Sequence, residues 1–325
     1  MILPSILIVA ITISGIAAAL YIAFSWVLAR LWCTPKRLPA SKTPADYELP
    51  FEAIQFYSHG IPIKGWFIPV ASDTSQPPAI ILAHGWCKSA AEMLSLARLL
   101  HEANFALLLY DARGHGASGE DGPITILKLA EDIVTSIEYL ETRTDIDKRR
   151  LGVLGRSIGG AAAILAASME PRIRAVVSCS AFADPKTLTK DFLTMKRIPA
   201  DIFAPLVFRF IEGWLGTTID SVAPQNRVGD IKAPLLLIHG DKDWYIKPSS
   251  MEILHKRASQ HAECLLIPGR GHSDIMRDPK CNQEIVAFLS RNLRPAGYEM
   301  LPFPQLPQDV EKGSATSDSV KETLL

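Results

Sequence analysis

The stretch RLGVLGRSIGGAAAILAASM, residues 150–169, decides the fold of this chain. A short aliphatic run leads directly into the G-x-S-x-G sequence GRSIG at 155–159, and an alanine-rich segment follows. A strand, a sharp turn with a serine and a helix in immediate succession form a nucleophile elbow, which raises the serine hydroxyl at the end of a sheet. Glycines beside the serine remove Cβ atoms that would collide in this turn. The stretch predicts Ser157 as a catalytic nucleophile, with an ordinary glycine-rich turn as the alternative.

Seven further apolar runs flank this stretch and alternate with segments of helical period, which is typical of an α/β fold with a mostly parallel sheet. The first two runs lie close together and alternate in polarity, so we expect an antiparallel pair at one edge. The later runs are almost continuously apolar, as in strands that are covered on both faces. Together with 150–155, the predicted strands are 52–58, 63–70, 79–85, 105–111, 173–180, 233–240 and 263–269.

Helices are predicted between these strands. Ser89 and Glu92 have the spacing of a capping box that opens a helix over 90–103, and Asn104 suits a left-handed cap at its end. The piece at about 184–230 is rich in Phe, Leu and Ile and too long for one crossover helix, so we expect an inserted helical cap. Further helices are predicted at 126–140, 158–169, 248–259 and 280–293.

The N-terminal segment is long and apolar. Residues 2–29 carry no charged side chain and would form a helix of roughly 42 Å, against a hydrocarbon core of about 30 Å. A transmembrane anchor over 1–31 is therefore predicted, and a cleaved signal peptide and a buried core helix are the alternatives. The basic residues that follow favour a cytoplasmic location for the rest of the chain. These residues are Arg30, Lys36, Arg37 and Lys42.

The rest of the chain divides by composition. Residues 32–50 contain four prolines and are interpreted as an extended linker, and residues 51–294 as one domain that includes the cap. Residues 295–325 lack an apolar period and are interpreted as a flexible tail. Because the motifs lie beyond the anchor and linker, a chain that begins near residue 45 is expected to be soluble and active.

Charge and cysteine content exclude some classes of protein. The 34 basic residues balance 34 acidic ones, whereas a nucleic-acid-binding surface needs a basic excess to meet phosphates. The composition therefore argues against nucleic acid as a partner. Five cysteines are scattered without a C-x-x-C spacing, which is poor evidence for a disulfide framework or a zinc site.

A serine nucleophile needs a base and a group that orients the base. His272 follows the glycines of GRG, 269–271, after the last predicted strand, and Asp243 lies in HGDKD after the strand before it. Both lie at the carboxyl ends of strands, where open α/β sheets place their sites. The H-G-x-x-D pattern favours Asp243 as the acid, and Asp241 and Asp184 are the alternatives.

Four ordered blocks resemble the α/β-hydrolase superfamily. They are HGW (84–86), DARGHGASG (111–119), GRSIGG (155–160), and HGDKD with GRGH (239–243 and 269–272). Within the superfamily, the chain looks like serine aminopeptidase-like and Bem46-like membrane-anchored bacterial hydrolases. The resemblance spans about 51–294 and implies an eight-stranded sheet, a triad in the order Ser, Asp, His, and neither a cofactor nor a metal ion. It also implies an oxyanion hole formed by the backbone N–H groups of Trp86 and Ile158.

The sequence therefore predicts a membrane-anchored serine hydrolase that cleaves carboxylic esters through an acyl-enzyme. The apolar cap and the anchor suggest a small-molecule or lipid ester with a hydrophobic acyl group as the substrate. A peptidase or amidase with the same triad and a non-enzymatic binding protein on a hydrolase scaffold are the alternatives. An acidic pair in the cap would favour a peptidase. The acidic residues of the cap are dispersed, at Asp184, Asp191, Asp201, Glu212 and Asp220.

Overall fold

The computed structural model describes residues 2–70, 76–258 and 262–294, so the predicted tail at 295–325 lies outside the described residues. Eight strands form one sheet within these ranges. They are β1 (Glu52–Ser58), β2 (Ile61–Ile68), β3 (Ala79–Ala83), β4 (Ala106–Tyr110), β5 (Leu151–Arg156), β6 (Ile173–Cys179), β7 (Leu235–Gly240) and β8 (Ala262–Ile267).

The strand order is β1-β2-β4-β3-β5-β6-β7-β8. Strand β2 pairs antiparallel with β1 and β4, and every other neighbouring pair is parallel. The predicted α/β class, with a mostly parallel sheet and an antiparallel pair at one edge, is confirmed. Because β3 to β7 point the same way, the loops after their carboxyl ends meet on one side of the sheet.

The first helix of the described chain precedes the sheet, and the other helices follow strands from β3 onward, four of them between β6 and β7. The helices are α1 (Ile2–Trp32), α2 (Leu94–Glu102), α3 (Ile126–Thr142), α4 (Ile158–Met169), α5 (Pro185–Met195), α6 (Ala200–Leu215), α7 (Ile219–Val222), α8 (Pro224–Arg227), α9 (Ser249–Arg257) and α10 (Pro279–Leu293).

The core consists of one apolar layer on each face of the sheet. In β3, Ile81 faces the layer built with α3 and α4, whereas Ile80 and Leu82 face the layer built with α2 and α10. Successive side chains of a strand point to opposite faces, so a strand between two layers has to be apolar throughout. The continuous apolar runs in the sequence follow from this arrangement.

The start of α2 differs from the prediction. Residues Ala90–Met93 form a 3-10 turn, α2 begins at Leu94, and the Ser89 side chain makes no capping hydrogen bond. The capping box was wrong because the Glu92 side chain turns toward the loop after β3 instead. Asn104, with φ of +59°, ends this segment in the left-handed region, as predicted.

The chain between β6 and β7 forms a helical insertion made of α5, α6, α7 and α8. Asp184 caps α5 by accepting hydrogen bonds from the N–H groups of Lys186 and Thr187. Gly216, with φ of +69°, ends α6. This insertion is called the cap below.

Helix α1 continues to Trp32 and has two parts. The side chains of residues 5–20 are exposed, whereas Ser25, Ala29 and Cys33 are buried. The spacing of four residues places these three on one helical face, which packs against α6 of the cap. Residues 21–33, which include this packed face, are called the stem below.

Residues 32–50 were interpreted from sequence as an extended linker, but the part at 33–50 packs on the domain. The Cys33 carbonyl accepts a hydrogen bond from the Ile124 N–H at 2.7 Å, and the Arg37 guanidinium donates to the Ser118 carbonyl. A 3-10 turn at Pro44–Tyr47 precedes the buried Leu49. These contacts join residues far apart in sequence, so local composition does not reveal them.

Candidate active site

Ser157 lies at the junction of β5 and α4. Its φ of +56° and ψ of −121° place it outside the usual regions for a residue with a side chain. A Cβ on Gly155 would lie 2.1 Å from the Gly159 carbonyl oxygen, and one on Gly159 would lie 2.4 Å from the Ala83 carbonyl oxygen. Only glycine fits at these two positions. The two glycines therefore allow the tight turn that raises the serine hydroxyl.

The structure brings together the three side chains that the sequence singled out. His272 Nε2 lies 3.0 Å from Ser157 Oγ, and His272 Nδ1 lies 2.8 Å from Asp243 Oδ2. All three residues are buried, and each follows the carboxyl end of a strand. The order nucleophile–imidazole–carboxylate is the one in which a base can take the serine proton while the carboxylate holds the imidazole tautomer.

Asp243 is held from several sides. Its Oδ1 accepts hydrogen bonds from the N–H groups of Ile246 at 2.8 Å and Tyr245 at 3.1 Å. Burial alone would raise the pKa of Asp243, but hydrogen bonds from His239 and His272 lower it below its ordinary value. The carboxylate is therefore ionised at neutral pH and acts only as an acceptor.

His239 is a site residue that the sequence reasoning missed. It is the histidine of HGDKD, and its Nε2 lies 2.8 Å from the Ile246 carbonyl oxygen and 3.2 Å from Asp243 Oδ2. Both neighbours are acceptors, so Nε2 carries the proton. A histidine on a buried strand four residues before the acid was the available signal.

Burial lowers the pKa of His272 below its ordinary value, although the Asp243 carboxylate opposes this effect. The imidazole is therefore neutral at physiological pH, as a general base requires. Its ring and the Tyr245 ring pack edge to face, with centroids 5.4 Å apart. This packing restricts the orientation of the imidazole.

The two alternative acids lie elsewhere. Asp241 Oδ1 accepts a hydrogen bond from the Gly269 N–H at 2.6 Å and so fixes the start of the loop that carries His272. Asp184 is the N-cap of α5. Of the three aspartates considered, Asp243 is the one that contacts the imidazole.

The two expected oxyanion donors flank the serine. Ile158 is the first residue of α4, so its N–H belongs to those without an acceptor inside the helix. Trp86 follows Gly85 in the loop after β3, and its N–H has no hydrogen-bond acceptor within the described ranges. A Cβ on Gly85 would lie 3.6 Å from Ser157 Cβ, so this loop lies directly against the nucleophile.

Glu92 and Arg156 tie the three parts of the site together, which the sequence did not indicate. Glu92 Oε2 accepts a hydrogen bond from the Gly85 N–H at 2.7 Å, and its Oε1 pairs with Arg156 Nη1. Arg156 Nη2 donates to the His272 carbonyl at 2.7 Å. One buried ion pair thus joins the oxyanion loop, the elbow and the histidine loop.

The loop at 111–119 supports the site from behind. Asp111 accepts hydrogen bonds from the N–H groups of Ala90 at 2.7 Å and Ala117 at 2.8 Å. Burial beside His84 lowers the pKa of His115 to about 3, so this imidazole stays neutral. The hydrogen bonds of these two side chains go to backbone atoms and hold the loops together.

A cleft of about 1140 Å³, including its open mouth, extends from the serine under the cap. The lining is apolar apart from the site residues and a few polar groups, of which Lys88 and Arg156 are charged. Its apolar walls include Trp32, Ile124, Ile126, Phe182, Leu188, Ile211, Leu215, Ile219 and Val222.

Among the residues that the structure describes, no group of three or more His, Cys, Asp or Glu side chains is arranged to hold a metal ion. The hydrogen bonds of His272 and His239 go to protein atoms.

Comparisons with known proteins agree with this fold. A family model described as serine aminopeptidase, S33, matches residues 75–223. The uncharacterised protein YfhR of Escherichia coli (strain K12) is 30% identical over 253 residues, 75% of this chain and 82% of that protein. The α/β hydrolase domain-containing protein WAV2 of Arabidopsis thaliana is 28% identical over 243 residues, 71% of this chain and 75% of that protein. The chain belongs to the α/β-hydrolase superfamily.

Solved structures of this superfamily share the fold. The Pyrococcus furiosus esterase Pf2001 superposes with a TM-score of 0.64 at 22% identity, covering 80% of this chain and 100% of that chain. The α/β hydrolase GrgF from Penicillium sp. sh18 superposes with a TM-score of 0.62 at 18% identity, covering 75% of this chain and 99% of that chain. The family match and these neighbours support a hydrolase.

Proposed function

We propose that this protein is a serine hydrolase that cleaves carboxylic esters through Ser157, His272 and Asp243. The observation that carries the proposal is the pair of short contacts from His272 to Ser157 and to Asp243, at the inner end of an apolar cleft. A hydroxyl beside a neutral imidazole, itself bonded to an ionised carboxylate, is an activated nucleophile.

In the proposed reaction, Ser157 Oγ attacks the ester carbonyl carbon while His272 Nε2 takes the hydroxyl proton. The carbonyl oxygen gains the negative charge and is bound by the N–H groups of Trp86 and Ile158. His272 then gives its proton to the leaving alcohol, which leaves an acyl-enzyme. Water, deprotonated by His272, then attacks the acyl carbon. The bond from that carbon to Ser157 Oγ breaks, His272 returns the proton to Oγ, and the acid is released.

The charges of the cap favour an ester over a peptide substrate. An aminopeptidase would need an acidic group in the cleft to bind the substrate's ammonium. Asp191 is paired with Lys247, Asp201 with Lys190 and Asp220 with Lys186. Asp184 caps α5 and Glu212 pairs with Arg209, and none of these five carboxylates lines the cleft.

We also propose that α1 anchors the protein in a membrane, with the hydrolase domain on the cytoplasmic side. The part at Ser5–Trp32 has a mean hydropathy of 2.5 and is long enough to cross a bilayer. The positive charges in 30–42 oppose translocation of the domain. Carbonate should fail to extract the protein, and protease added to intact spheroplasts of a bacterial host should leave the domain uncut. Digestion of the domain in intact spheroplasts would reverse this topology.

Hydrolysis by the full chain in detergent tests the activity. We expect turnover of p-nitrophenyl esters and little or no release of p-nitroaniline from aminoacyl anilides. The Ser157→Ala variant, purified in parallel, gives the background rate for both substrates. Turnover of the anilides above that background, without ester turnover, would favour the peptidase over the esterase.

A further inference from the structure

One wall of the cleft is contributed by the end of the membrane anchor. Trp32 and Cys33 line the same cleft as Ser157 and His272. A helix that served only as a tether would not need to line this cleft. The contacts that hold these two residues in the wall therefore bear on what the cleft binds.

The stem is fixed to the cap along its whole length. Tyr21 Oη donates to the Ile202 carbonyl at 2.8 Å, and the Tyr21 ring packs on Phe203 with centroids 5.6 Å apart. Near the other end, Ala29 and Cys33 form one buried apolar cluster with α6 and Ile219. The stem and α6 thus run side by side in the same direction toward the cleft.

Separate contacts fix the two wall residues themselves. The Trp32 ring packs on Phe192 of α5 with centroids 4.6 Å apart. The Cys33 carbonyl accepts a hydrogen bond from the Ile124 N–H, and Ile124 lines the cleft as well. The wall is therefore built by the stem, the cap and the loop before α3 together.

This wall lies close to the membrane surface if α1 is inserted as proposed. Residues 2–20 form roughly 28 Å of helix, which matches a hydrocarbon core of about 30 Å. Tyr21 then lies at the interface, and Trp32 is roughly 16 Å further along the helix. Apolar side chains of the stem also remain exposed, since Ile22, Trp26 and Leu31 are 50%, 45% and 67% exposed. Such a surface suits the interfacial layer of a bilayer better than water.

We infer that Trp32 and Cys33 form part of an acyl-binding site, and that the substrate is a membrane-resident amphiphile with a long-chain acyl ester. This inference rests on the proposed function. The acyl chain lies against Trp32, Cys33, Ile211 and Leu215, where a charged or peptide group would lose its hydrogen bonds. The ester carbonyl then lies at Ser157, and the stem sets the length of chain that fits.

The test measures kcat/KM of the full chain in one detergent for p-nitrophenyl acetate, laurate and palmitate. In Cys33→Phe the added ring fills the cleft. We therefore expect kcat/KM for laurate to fall about tenfold or more, while kcat/KM for acetate changes by less than about threefold. In Trp32→Ala the cleft becomes longer, and the ratio of palmitate to laurate should rise several-fold. Trp26→Ala removes an exposed stem aromatic outside the cleft and should keep the ratios of the unaltered protein.

The outcomes separate the two proposals. If the unaltered protein hydrolyses none of the esters, the proposed function fails and the acyl site fails with it. If it hydrolyses them and both wall variants keep its chain-length ratios, the acyl site alone is overturned. Should Cys33→Phe lose all three esters equally, as a misfolded variant would, the palmitate-to-laurate ratio of Trp32→Ala decides. An unchanged ratio in that variant contradicts the inference.

Discussion

At the scale of the residue, the chemistry depends on how firmly one imidazole is held. His272 is bonded through Nδ1 to Asp243, and Asp243 is bonded in turn to His239 and to two backbone N–H groups. Each of these bonds favours the ionised carboxylate and one tautomer of His272. In the proposed reaction, His239 acts only through Asp243 and is a positioning residue.

The first prediction separates the two aspartates of HGDKD. Asp243→Asn should lower kcat by about 10⁴, because the amide can hold the imidazole in the wrong tautomer. Asp241→Asn is the matched control, since it changes a carboxylate that bonds to the Gly269 N–H and not to the imidazole. We expect Asp241→Asn to lower kcat by less than about tenfold. kcat is measured with p-nitrophenyl acetate. Equal losses of kcat in the two variants would contradict the assignment of Asp243, and not Asp241, as the acid.

The second prediction concerns pH. Catalysis needs neutral His272, and burial lowers the pKa of this imidazole. Activity should therefore be lost only as pH falls through that lowered pKa, so the acid limb of kcat/KM should have a midpoint below the ordinary histidine value of about 6.5. Two esters of different acyl length should give the same midpoint. A midpoint above 7 would show that the pKa of the His272 imidazole is not lowered.

The sequence predicts some residues of the site better than others. Ser157, Asp243 and His272 were found because each lies in a short glycine-containing block that follows a strand. Glu92 was misinterpreted, because the S-x-x-E spacing fits a capping box equally well and its true partners, at Gly85 and Arg156, are not local. Contacts made by long side chains across loops leave no periodic trace in a sequence.

At the scale of the element, the hydrophobic pattern was sufficient to predict the strands of the sheet but did not predict that segment 33–50 packs on the domain. All eight strands were predicted, because a strand between two helical layers is apolar throughout. The segment after α1 has no such pattern. Its position depends on Cys33, Arg37 and Leu49, each of which meets a partner contributed by a distant element.

The third prediction tests the ion pair that links the loops. Glu92→Ala leaves Arg156 buried without its partner, which typically costs about 3–5 kcal/mol. For a domain of this size, we expect the Tm to fall by about 6 °C or more. Glu102→Ala removes one partner of the more exposed pair with Arg98 and should cost at most about 1 kcal/mol. Similar Tm values for the two variants in thermal unfolding would contradict the linking role.

At the scale of the whole molecule, the stem and the domain form one unit. The stem fills a groove on the cap, so Val207 and Ile211 are buried against it. The expectation that a chain beginning near residue 45 would be soluble and active treated residues 1–44 as dispensable. The packing of the stem argues against it.

The fourth prediction compares two truncated chains in the same detergent. A chain that begins at Tyr21 keeps the stem and should retain the full chain's kcat/KM for p-nitrophenyl laurate within about threefold. A chain that begins at residue 45 lacks Trp32 and Cys33 and exposes the face of the cap that the stem covers. Its kcat/KM for the same ester should fall about tenfold or more. Equal activity of the two chains would show that the stem is dispensable.

The central claim is that Ser157 is the nucleophile, and covalent labelling tests it most directly. The full chain is treated with a fluorophosphonate, digested and analysed by mass spectrometry, with Ser157→Ala and the surface variant Ser249→Ala treated in parallel. The adduct should lie on the peptide that contains Ser157, persist in Ser249→Ala and disappear together with ester hydrolysis in Ser157→Ala. The Tm of that variant should remain close to the original, because the hydroxyl contributes little to the core. Undiminished labelling or hydrolysis in Ser157→Ala would contradict the account.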